Sequence, residues 1–458
     1  MKRIAFLSFN WDYEIITEYY YGLQERLKEL EGVQVVIFNA FGYFYARHTP
    51  KESSFEVFSL CQLESYDGFL IQGNRAWPPE VRQQIVNKAV ALHKPVVSIN
   101  YDLLGAHSVG TDNYHEEYEL VSRILREHDC KRPAFVNGLR TSVEARARAR
   151  AFNDACAQLG IKDARFYQAN WQIEAGIVTA KKMLRKPHDL PDIVFCCNDD
   201  LAVGVQQTLQ AAGLHVPEDV MITGFDNRKV GIHATPRITT IDRDYRTIAV
   251  TALDTILQLI DGKDLPAKLY SPGMHILTES CGYPSTDVAD VDKHESQELS
   301  LLSFYETLGN FQAAVMDAEM LFTVLENCEQ FVRELNWPNM YLTLNDDYLR
   351  AAPSHSAKKY GQTSHLVALS RRSSTLRCDS NHVYATFDSR SILPHEVPLK
   401  KPIYTVCPLR HDDTCIGTLV TEGVLPVMHH GFLAFYLTML SGAIDAVRNS
   451  ELLRQMCQ

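Results

Sequence analysis

Short apolar strands alternate with amphipathic helices from residue 1 to about residue 283, and this alternation restricts the fold more than any other feature of the chain. Ile4–Phe9 and Val33–Phe38 have the pattern of strands, and Ile15–Leu30 between them has the pattern of a helix. Further predicted strands are Gly68–Gln72, Pro95–Asn100, Ala134–Asn137, Ala164–Tyr167, Ile193–Cys197 and Val220–Gly224, and further predicted helices are Pro79–Leu92, Ala145–Leu159, Ala175–Leu184 and Leu201–Ala212. Apolar strands separated by helices indicate a parallel sheet covered on both faces. Because these units are too numerous for one sheet, we predict an α/β fold with two Rossmann-like parallel-sheet lobes joined by crossover strands.

The pattern changes after residue 283. Residues 284–300 are polar and predict a linker, whereas residues 301–338 carry apolar side chains at helical spacing. This spacing predicts a signalling helix or a helix pair, which would form a dimer seam. Residues 339–458 contain three predicted antiparallel strands and a final helix, at Met340–Leu344, Ile403–Leu409, Cys415–Glu422 and from about His430 to Cys457. This order is similar to that of a GAF-like α+β domain with long flanking helices.

Composition limits the class of protein and its surroundings. The net charge of −11 argues against a dedicated nucleic-acid surface, because binding to phosphates requires a basic face. The eleven cysteines are scattered without a C-x-x-C motif, which indicates reduced thiols in a reducing compartment. Neither a signal peptide nor a long apolar segment is present in the sequence, so we expect a cytoplasmic protein without a membrane partner.

Polar and aromatic side chains follow several of the predicted strands. They are Asn10, Trp11, Asn100, Asn198 and Asp226, together with Trp171 in a loop before a helix. Because open parallel sheets bind ligands at the carboxyl ends of their strands, we expect these side chains to line one cleft. They supply hydrogen-bonding and stacking groups for a small polyhydroxylated ligand. Since they include no nucleophile with a base, no acid–base pair and no metal cage, we predict a sensor that is not an enzyme and needs no metal or cofactor.

Three arginines alternate within Ser142–Phe152. Arg146 and Arg150 share a helix face, whereas Arg148 points elsewhere, near a helix start from which a side chain reaches a cleft. A guanidinium group donates two aligned hydrogen bonds to neighbouring hydroxyls, so Arg148 is a candidate ligand contact. The alternative is a solvated helix face.

The other candidates also have structural explanations. Asp199 is expected to cap the helix that begins near Leu201. Asn198 is either a turn residue or a ligand contact, and Trp171 either packs in the core or stacks on a ligand. Because an indole face suits the apolar side of a pyranose as well as a purine, the residues leave both ligand classes open.

A series of short motifs runs along residues 94–281. These are Lys94-Pro95-Val96-Val97, Val109-Gly110-Thr111-Asp112-Asn113, Arg148-x-x-Ala151-Phe152, the segment from Phe195 to Gly204, the segment from Gly213 to Val220, Ile222-Thr223-Gly224-Phe225-Asp226-Asn227, Pro236-Arg237-Ile238-Thr239-Thr240-Ile241 and Leu277-Thr278-Glu279-Ser280-Cys281. In this order they resemble the effector-binding core of the LacI/GalR family of repressors, which is itself similar to type I periplasmic sugar-binding proteins.

The resemblance implies roles for individual residues. The family's effector-binding arginine, stacking aromatic residue, asparagine and aspartate correspond to Arg148, Trp171, Asn198 and Asp226. Three positions depart from the family pattern, because Asn100 stands where an aspartate is usual, Tyr101 where an arginine is frequent, and Arg243 at the polar position after Thr-Thr-Ile. These departures leave the identity of the ligand open.

The family's repressors begin with a helix-turn-helix, whereas this chain starts in the first strand of the core, so we expect no direct DNA binding. We predict a cytoplasmic sensor for a sugar or a purine-like effector, in which lobe closure is passed to a C-terminal signalling module. The predicted assembly is a homodimer that acts on a separate output protein. The alternatives are a transcription regulator without its own helix-turn-helix, and the sensory part of a diguanylate cyclase whose catalytic domain is missing, since no Gly-Gly-Asp-Glu-Phe motif occurs.

Overall fold

The strands and helices predicted for residues 1–283 are present, with small shifts at their ends. The computed structural model describes residues 1–10, 13–42, 52–72, 77–284, 306–334, 339–351, 357–370, 383–423 and 432–456. The strands are β1 (Lys2–Asn10), β2 (Val33–Gly42), β3 (Gly68–Gln72), β4 (Val96–Ile99), β5 (His107–Thr111), β6 (Pro133–Asn137), β7 (Arg165–Gln168), β8 (Ile193–Cys196), β9 (Met221–Thr223), β10 (Thr240–Asp242), β11 (Lys268–Ser271), β12 (Met274–Ile276), β13 (Met340–Asn345), β14 (Thr363–Ser370), β15 (Ala385–Asp388), β16 (Ile403–His411) and β17 (Thr414–Glu422). The helices are α1 (Tyr13–Lys28), α2 (Pro79–Ala91), α3 (Asn113–Glu127), α4 (Val143–Gln158), α5 (Ile173–Met183), α6 (Asp199–Ala211), α7 (Lys229–Ile232), α8 (Tyr245–Ile260), α9 (306–316), α10 (Leu321–Glu334), α11 (Asp346–Arg350) and α12 (Phe432–Met456).

The chain divides into two units, of which unit 1 comprises Met1–Val109, Tyr245–Leu269 and Lys293–Gln458. Its sheet has eleven strands in the order β11-β5-β4-β3-β1-β2-β16-β17-β13-β14-β15. β1 runs parallel to β2 and β3, and the pairs β3–β4 and β4–β5 are parallel as well. This half of the sheet is the first of the two predicted parallel sheets.

The C-terminal strands extend this same sheet, which differs from the expectation of a domain built around its own sheet. β16 pairs in parallel with β2, so that Ile403 lies beside Val35 and Val406 beside Phe38. From β16 onward, each strand is antiparallel to its neighbour through β17, β13, β14 and β15. The edge of β2 presents backbone groups that any strand can pair with, and a hydrophobic pattern does not specify the partner. The predicted boundaries at 284–300 stay a prediction, since residues 285–300 lie outside the described part of the chain.

Apolar layers cover both faces of the sheet of unit 1. On one face α1 and α8 pack on the parallel strands, for example through Leu23 and Ile248. The other face buries Trp77 together with Tyr341 and Tyr404 from the C-terminal strands. This shared layer explains why the two halves of the sheet form one body.

The segment expected to form one signalling helix or a helix pair is a pair. α9 and α10 pack with α12 on the C-terminal strands, where the rings of Phe311, Phe331 and Tyr436 lie 4.7–5.0 Å apart. The predicted dimer seam stays a prediction. Within the described residues, no helix combines the length and hydropathy that a membrane crossing requires.

Unit 2 comprises Gly110–Asp244 and Tyr270–Asp292 and contains the second predicted parallel sheet. Its strand order is β7-β6-β8-β9, and all pairs are parallel. α5 and α6 cross closely at Gly176 and Gly204. A Cβ atom at either glycine would overlap the backbone of the opposite helix, so only glycine allows this approach. The carboxyl ends of β6, β8 and β9 therefore share one edge, where the candidate residues of this unit are found.

Candidate functional site

Arg148 is the buried member of the arginine run on α4. The helix begins after Ser142, whose hydroxyl accepts a hydrogen bond from the backbone nitrogen of Ala145 at 3.3 Å. Arg148 is 1% exposed, whereas Arg146 and Arg150 are exposed. The predicted division of the run into a solvated face and one separate side chain is confirmed.

Three groups hold the guanidinium of Arg148. The side-chain oxygen of Asn113 accepts from Nε at 3.0 Å and from Nη2 at 2.7 Å, and the carbonyl oxygen of Cys197 accepts from Nη1. The ring of Phe225 stacks on the guanidinium, with its centroid 3.4 Å from Cζ. A guanidinium has five N–H groups, so these three hydrogen bonds to the described residues leave two of them over.

Asp226 lies next to two guanidinium groups. Its Oδ1 atom is 3.6 Å from Nη2 of Arg148 and 3.6 Å from Nη1 of Arg243. The backbone of Asp226 has a φ of 100°, a conformation rare for residues other than glycine, and its amide donates to the carbonyl of Ile241 at 2.9 Å. This backbone conformation turns the carboxylate toward the two arginines.

Arg243 is paired with a carboxylate on α4. Its Nη2 donates to Oε1 of Glu144 at 3.0 Å, and its Nε donates to the hydroxyl of Thr111 at 3.3 Å. Burial favours the neutral form of Glu144, but the charges of Arg243 and Arg148 outweigh it and lower the pKa of this carboxyl. Glu144 therefore carries a negative charge at neutral pH.

We call Arg148, Arg243, Asp226 and Glu144 the guanidinium cluster. Its two guanidinium groups and two carboxylates together carry no net charge. A further carboxyl beside it, Glu117, is 2% exposed, and burial raises its pKa to about 8 despite the charge of Arg148. Glu117 is therefore mostly protonated at neutral pH and adds little charge. The arrangement offers hydrogen-bond donors and acceptors without a net charge.

The structure corrects the expected helix cap of α6. The cap is Asn198, whose side-chain oxygen accepts from the backbone nitrogen of Leu201 at 3.1 Å, and not Asp199. Asp199 is fully buried and accepts from the hydroxyl of Thr240 at 2.7 Å and from the backbone nitrogen of Arg228 at 2.6 Å. Burial holds the pKa of Asp199 well above its usual range. The side-chain nitrogen of Asn198 also makes a hydrogen bond within the protein, since it donates to the carbonyl of Trp171 at 3.1 Å.

The indole of Trp171 is largely buried, whereas stacking on a ligand needs an exposed ring face. It is 8% exposed, and its six-membered ring lies so close to Gly138 that a Cβ atom there would be 2.7 Å from the ring. Gly138 is thus the residue that makes room for the indole. The contact of Asn198 with the carbonyl of Trp171 places both near the carbonyl of Cys197 that holds Arg148. Whether Trp171 and Asn198 touch a ligand stays a prediction.

Three of the candidate residues belong to unit 1. Asn100 follows β4 with a φ of 59°, and its amide nitrogen donates to the hydroxyl of Tyr19 on α1. Asn10 is the last residue of β1, and Trp11 lies outside the described residues. A role of these residues in ligand binding stays a prediction.

Sequence reasoning missed Asn113, Glu144 and Phe225, although each lies inside a motif discussed above. Asn113 is the first residue of α3, and Phe225 follows β9. The sequence signal for Asn113 was weak, since a polar residue at a helix start is usually a cap. The partners of these residues are 35 to 99 residues away along the chain, so only the fold identifies them. Among the described residues, no group of three or more His, Cys, Asp and Glu side chains is arranged to hold a metal ion.

Comparison with known protein families identifies part of the chain. The model of a periplasmic binding protein-like domain matches residues 123–280. The HTH-type transcriptional repressor PurR of Aliivibrio fischeri (strain MJ11) is 27% identical over 176 residues, which are 37% of this chain and 51% of PurR. The probable HTH-type transcriptional repressor ExuR of Bacillus subtilis (strain 168) is 29% identical over 137 residues, which are 30% of this chain and 41% of ExuR. The chain thus spans about half the length of these curated relatives, or less.

Solved structures agree with this match at the level of the fold. The Lac repressor bound to ONPG has a TM-score of 0.51 at 18% identity, with 61% of this chain and 82% of the repressor covered. The complex of the transcriptional regulator CelR with cellobiose has a TM-score of 0.50 at 21% identity, with 61% of this chain and 84% of CelR covered. Residues 123–280 therefore match a periplasmic binding protein-like domain, and the solved structures show the same fold.

Proposed function

We propose that this protein is a small-molecule sensor whose effector is a neutral polyhydroxylated molecule bound at the guanidinium cluster of unit 2. The supporting observation is the state of Arg148. Its guanidinium is 1% exposed and oriented by Asn113, yet two of its five N–H groups make no hydrogen bond with the described residues. Oδ1 of Asp226 lies 3.6 Å from Nη2 of Arg148, and a ligand hydroxyl that accepts from the guanidinium and donates to this carboxylate would add hydrogen bonds to the site.

The charge balance of the cluster favours a neutral effector. Arg243 faces Glu144 at 3.0 Å, and both arginines face Asp226 at 3.6 Å. An anionic effector would be repelled by these two carboxylates, and a cationic one by the two guanidinium groups. Hydroxyl groups suit the cluster, because each of them donates to a carboxylate and accepts from a guanidinium.

Between the two ligand classes left open by the sequence, the site favours a sugar over a purine. A purine gains most from stacking on an exposed aromatic face. Trp171 is 8% exposed, and one part of its ring is covered by Gly138. Hydrogen bonding to Arg148 and Asp226 therefore dominates over stacking, which is the balance expected for a polyhydroxylated ring.

The signal would reach the C-terminal residues through the sheet of unit 1. β16 pairs directly with β2, so residues 339–458 share a hydrogen-bonded sheet with the N-terminal strands. We regard these residues as a GAF-like signalling module that acts within a homodimer and passes the signal to a separate output protein. A direct strand pairing is a stiffer connection than a flexible linker.

Thermal-shift screening followed by calorimetry tests the proposed effector class. Neutral mono- and disaccharides, sugar acids and purine nucleosides form the panel, and a neutral saccharide should raise the melting temperature in a concentration-dependent way. Arg148→Lys should weaken its binding by about 2–5 kcal/mol, because a lysine lacks the fork that Asn113 orients. Arg146→Lys on the exposed face of the same helix is the matched control and should bind normally. Equal affinities of the two variants would contradict the proposal, and so would binding of nucleosides alone.

Transcription regulation is the second candidate function. It is favoured by the curated relatives, which are described as transcriptional repressors. A mobility-shift assay with genomic DNA fragments, with and without the identified effector, tests it. Specific binding that weakens steeply with salt would support regulation by direct DNA contact.

A further inference from the structure

A pocket lies in unit 1, at the end of the sheet where the central strands β1 and β2 begin. It has a volume of about 370 Å³, which is within the range of small-molecule sites. Its walls come from three parts of the chain, the start of β1 and β2, the segment around Tyr66, and residues 390–399 before β16. The pocket therefore joins the N-terminal strands to the segment that leads into the C-terminal strands.

Gln34 on β2 forms the polar floor of this pocket. It is 1% exposed, and its side-chain nitrogen donates to the carbonyl oxygens of Leu399 at 3.1 Å and Lys401 at 3.0 Å. Its side-chain oxygen accepts from Nε of Arg3 at 3.3 Å. One buried amide thus fixes Arg3 and the segment before β16 in the same place.

The charge inside the pocket comes from Arg3. Its guanidinium stacks on Tyr66, with Cζ 4.9 Å from the ring centroid, and Nη1 makes only a long contact of 3.5 Å with the carbonyl of Ser65. Among the described residues, no carboxylate oxygen lies within ion-pair distance of this guanidinium. The other basic side chains at the rim have carboxylate partners, since Arg390 lies 2.6 Å from Asp388 and His395 lies 3.1 Å from Glu396.

The lining also contains a group of apolar side chains, beside polar ones such as Gln62 and Ser391. Tyr66, Leu393 and Val397 are each at most 3% exposed, and Pro394 and Leu399 complete this surface. A single guanidinium in the lining matches one carboxylate, and the apolar side chains match a hydrocarbon or aromatic body.

We propose that this pocket binds a small organic carboxylate, with Arg3 as the anion-binding residue and the apolar side chains around its body. The site is separate from the guanidinium cluster of unit 2, whose balanced charges favour a neutral effector. A molecule bound here touches both β1 and the segment before β16. A bound molecule therefore stabilises the pairing of β16 with β2, and the pocket is a second site from which a ligand acts on this sheet.

Calorimetric titration of the full chain with benzoate tests this site, with benzamide as the uncharged analogue and phenyl phosphate as a doubly charged one. Benzoate should bind saturably below about 10 mM, and its affinity should fall as salt is added. Arg3→Met keeps the apolar stem but removes the charge, and it should weaken benzoate binding by at least about tenfold. Ser391→Trp fills the pocket from an exposed position and should have the same effect without touching Arg3.

Two controls distinguish this site from others. Arg390→Gln removes a rim cation that is already paired, so benzoate affinity should stay within about twofold of the wild type. Arg148→Met is included because a carboxylate bound at the guanidinium cluster would be lost in that variant. Retained binding in Arg3→Met or Ser391→Trp, equal affinity for benzamide, tighter binding of phenyl phosphate, or loss of benzoate in Arg148→Met would each overturn the proposal.

Discussion

The side-chain oxygen of Asn113 accepts two hydrogen bonds from the guanidinium of Arg148, at 3.0 Å from Nε and 2.7 Å from Nη2. Asn113 opens α3 and Arg148 lies on α4, so this contact also ties the two helices together. A neutral amide orients the guanidinium without neutralising its charge. The arginine therefore keeps both its direction and its attraction for electronegative ligand atoms.

Replacing Asn113 by alanine should destabilise unit 2. The variant leaves two N–H groups of a guanidinium that is 1% exposed without their acceptor, which costs about 1–3 kcal/mol. Urea unfolding followed by circular dichroism measures the loss. Asn153→Ala on the exposed face of α4 is the control and should change the unfolding free energy by less than about 0.5 kcal/mol. Equal stability of Asn113→Ala and the wild type would show that water replaces the amide.

Glu117 should make the protein less stable as the pH rises. Burial raises its pKa from 4.5 to about 8 in the folded state, so the folded protein keeps a proton that the unfolded chain releases. The unfolded state binds fewer protons between these two values, and the free energy of unfolding therefore falls across this range. The stability present below about pH 4.5 is lost as the pH passes through about 8.

Glu117→Gln removes this dependence. Between about pH 5 and about pH 8.5, the unfolding free energy of the wild type should fall by about 2–4 kcal/mol relative to the variant. Glu119→Gln on the exposed face of the same helix should follow the wild-type profile. If the profiles of Glu117→Gln and the wild type run parallel, Glu117 is ionised in the folded protein and this interpretation is wrong.

Gly138→Ala should displace the indole of Trp171. A Cβ atom at this position lies 2.7 Å from the ring, so the side chain or the backbone has to move. Overpacking of this kind costs about 1–3 kcal/mol, measured as a lower midpoint of chemical unfolding. The double variant Gly138→Ala/Trp171→Phe should recover part of the loss, because the smaller ring leaves room for the methyl group. If the double variant is as unstable as Gly138→Ala, the loss of stability does not come from the contact with Trp171.

A fragment of residues 1–283 should self-associate. Without β16, the edge of β2 presents unpaired backbone groups, and both of its faces carry apolar residues such as Val36 and Ile37. Light scattering after size-exclusion chromatography should show a mass that grows with protein concentration, which the full chain is not expected to show to the same extent. A monomeric fragment with the melting temperature of the full chain would mean that the C-terminal strands are dispensable for this sheet.

The alternation of strands and helices in residues 1–283 was predictable because it depends on local patterns. The strand Gly68–Gln72 is apolar up to its final glutamine and matches its predicted bounds, and α2 begins at Pro79 as expected. The separate orientation of Arg148 was predictable for the same reason, since helix geometry alone divides it from Arg146 and Arg150. The cap of α6 was not predictable from the sequence, because Asn198 and Asp199 are chemically similar candidates for it. The choice between them depends on Thr240, about 40 residues away, which draws Asp199 into the interior.

The sequence by itself determined two parallel sheets, the helices that cover them and the position of one buried arginine, because hydrophobic periodicity acts over a few residues. Only the tertiary structure decided that β16 covers the edge of β2, that Asn113 orients Arg148, and that Glu144 balances Arg243. Each of these contacts joins residues far apart in the chain. Their energies depend on burial and on distance in space, which a linear pattern of residue types does not contain.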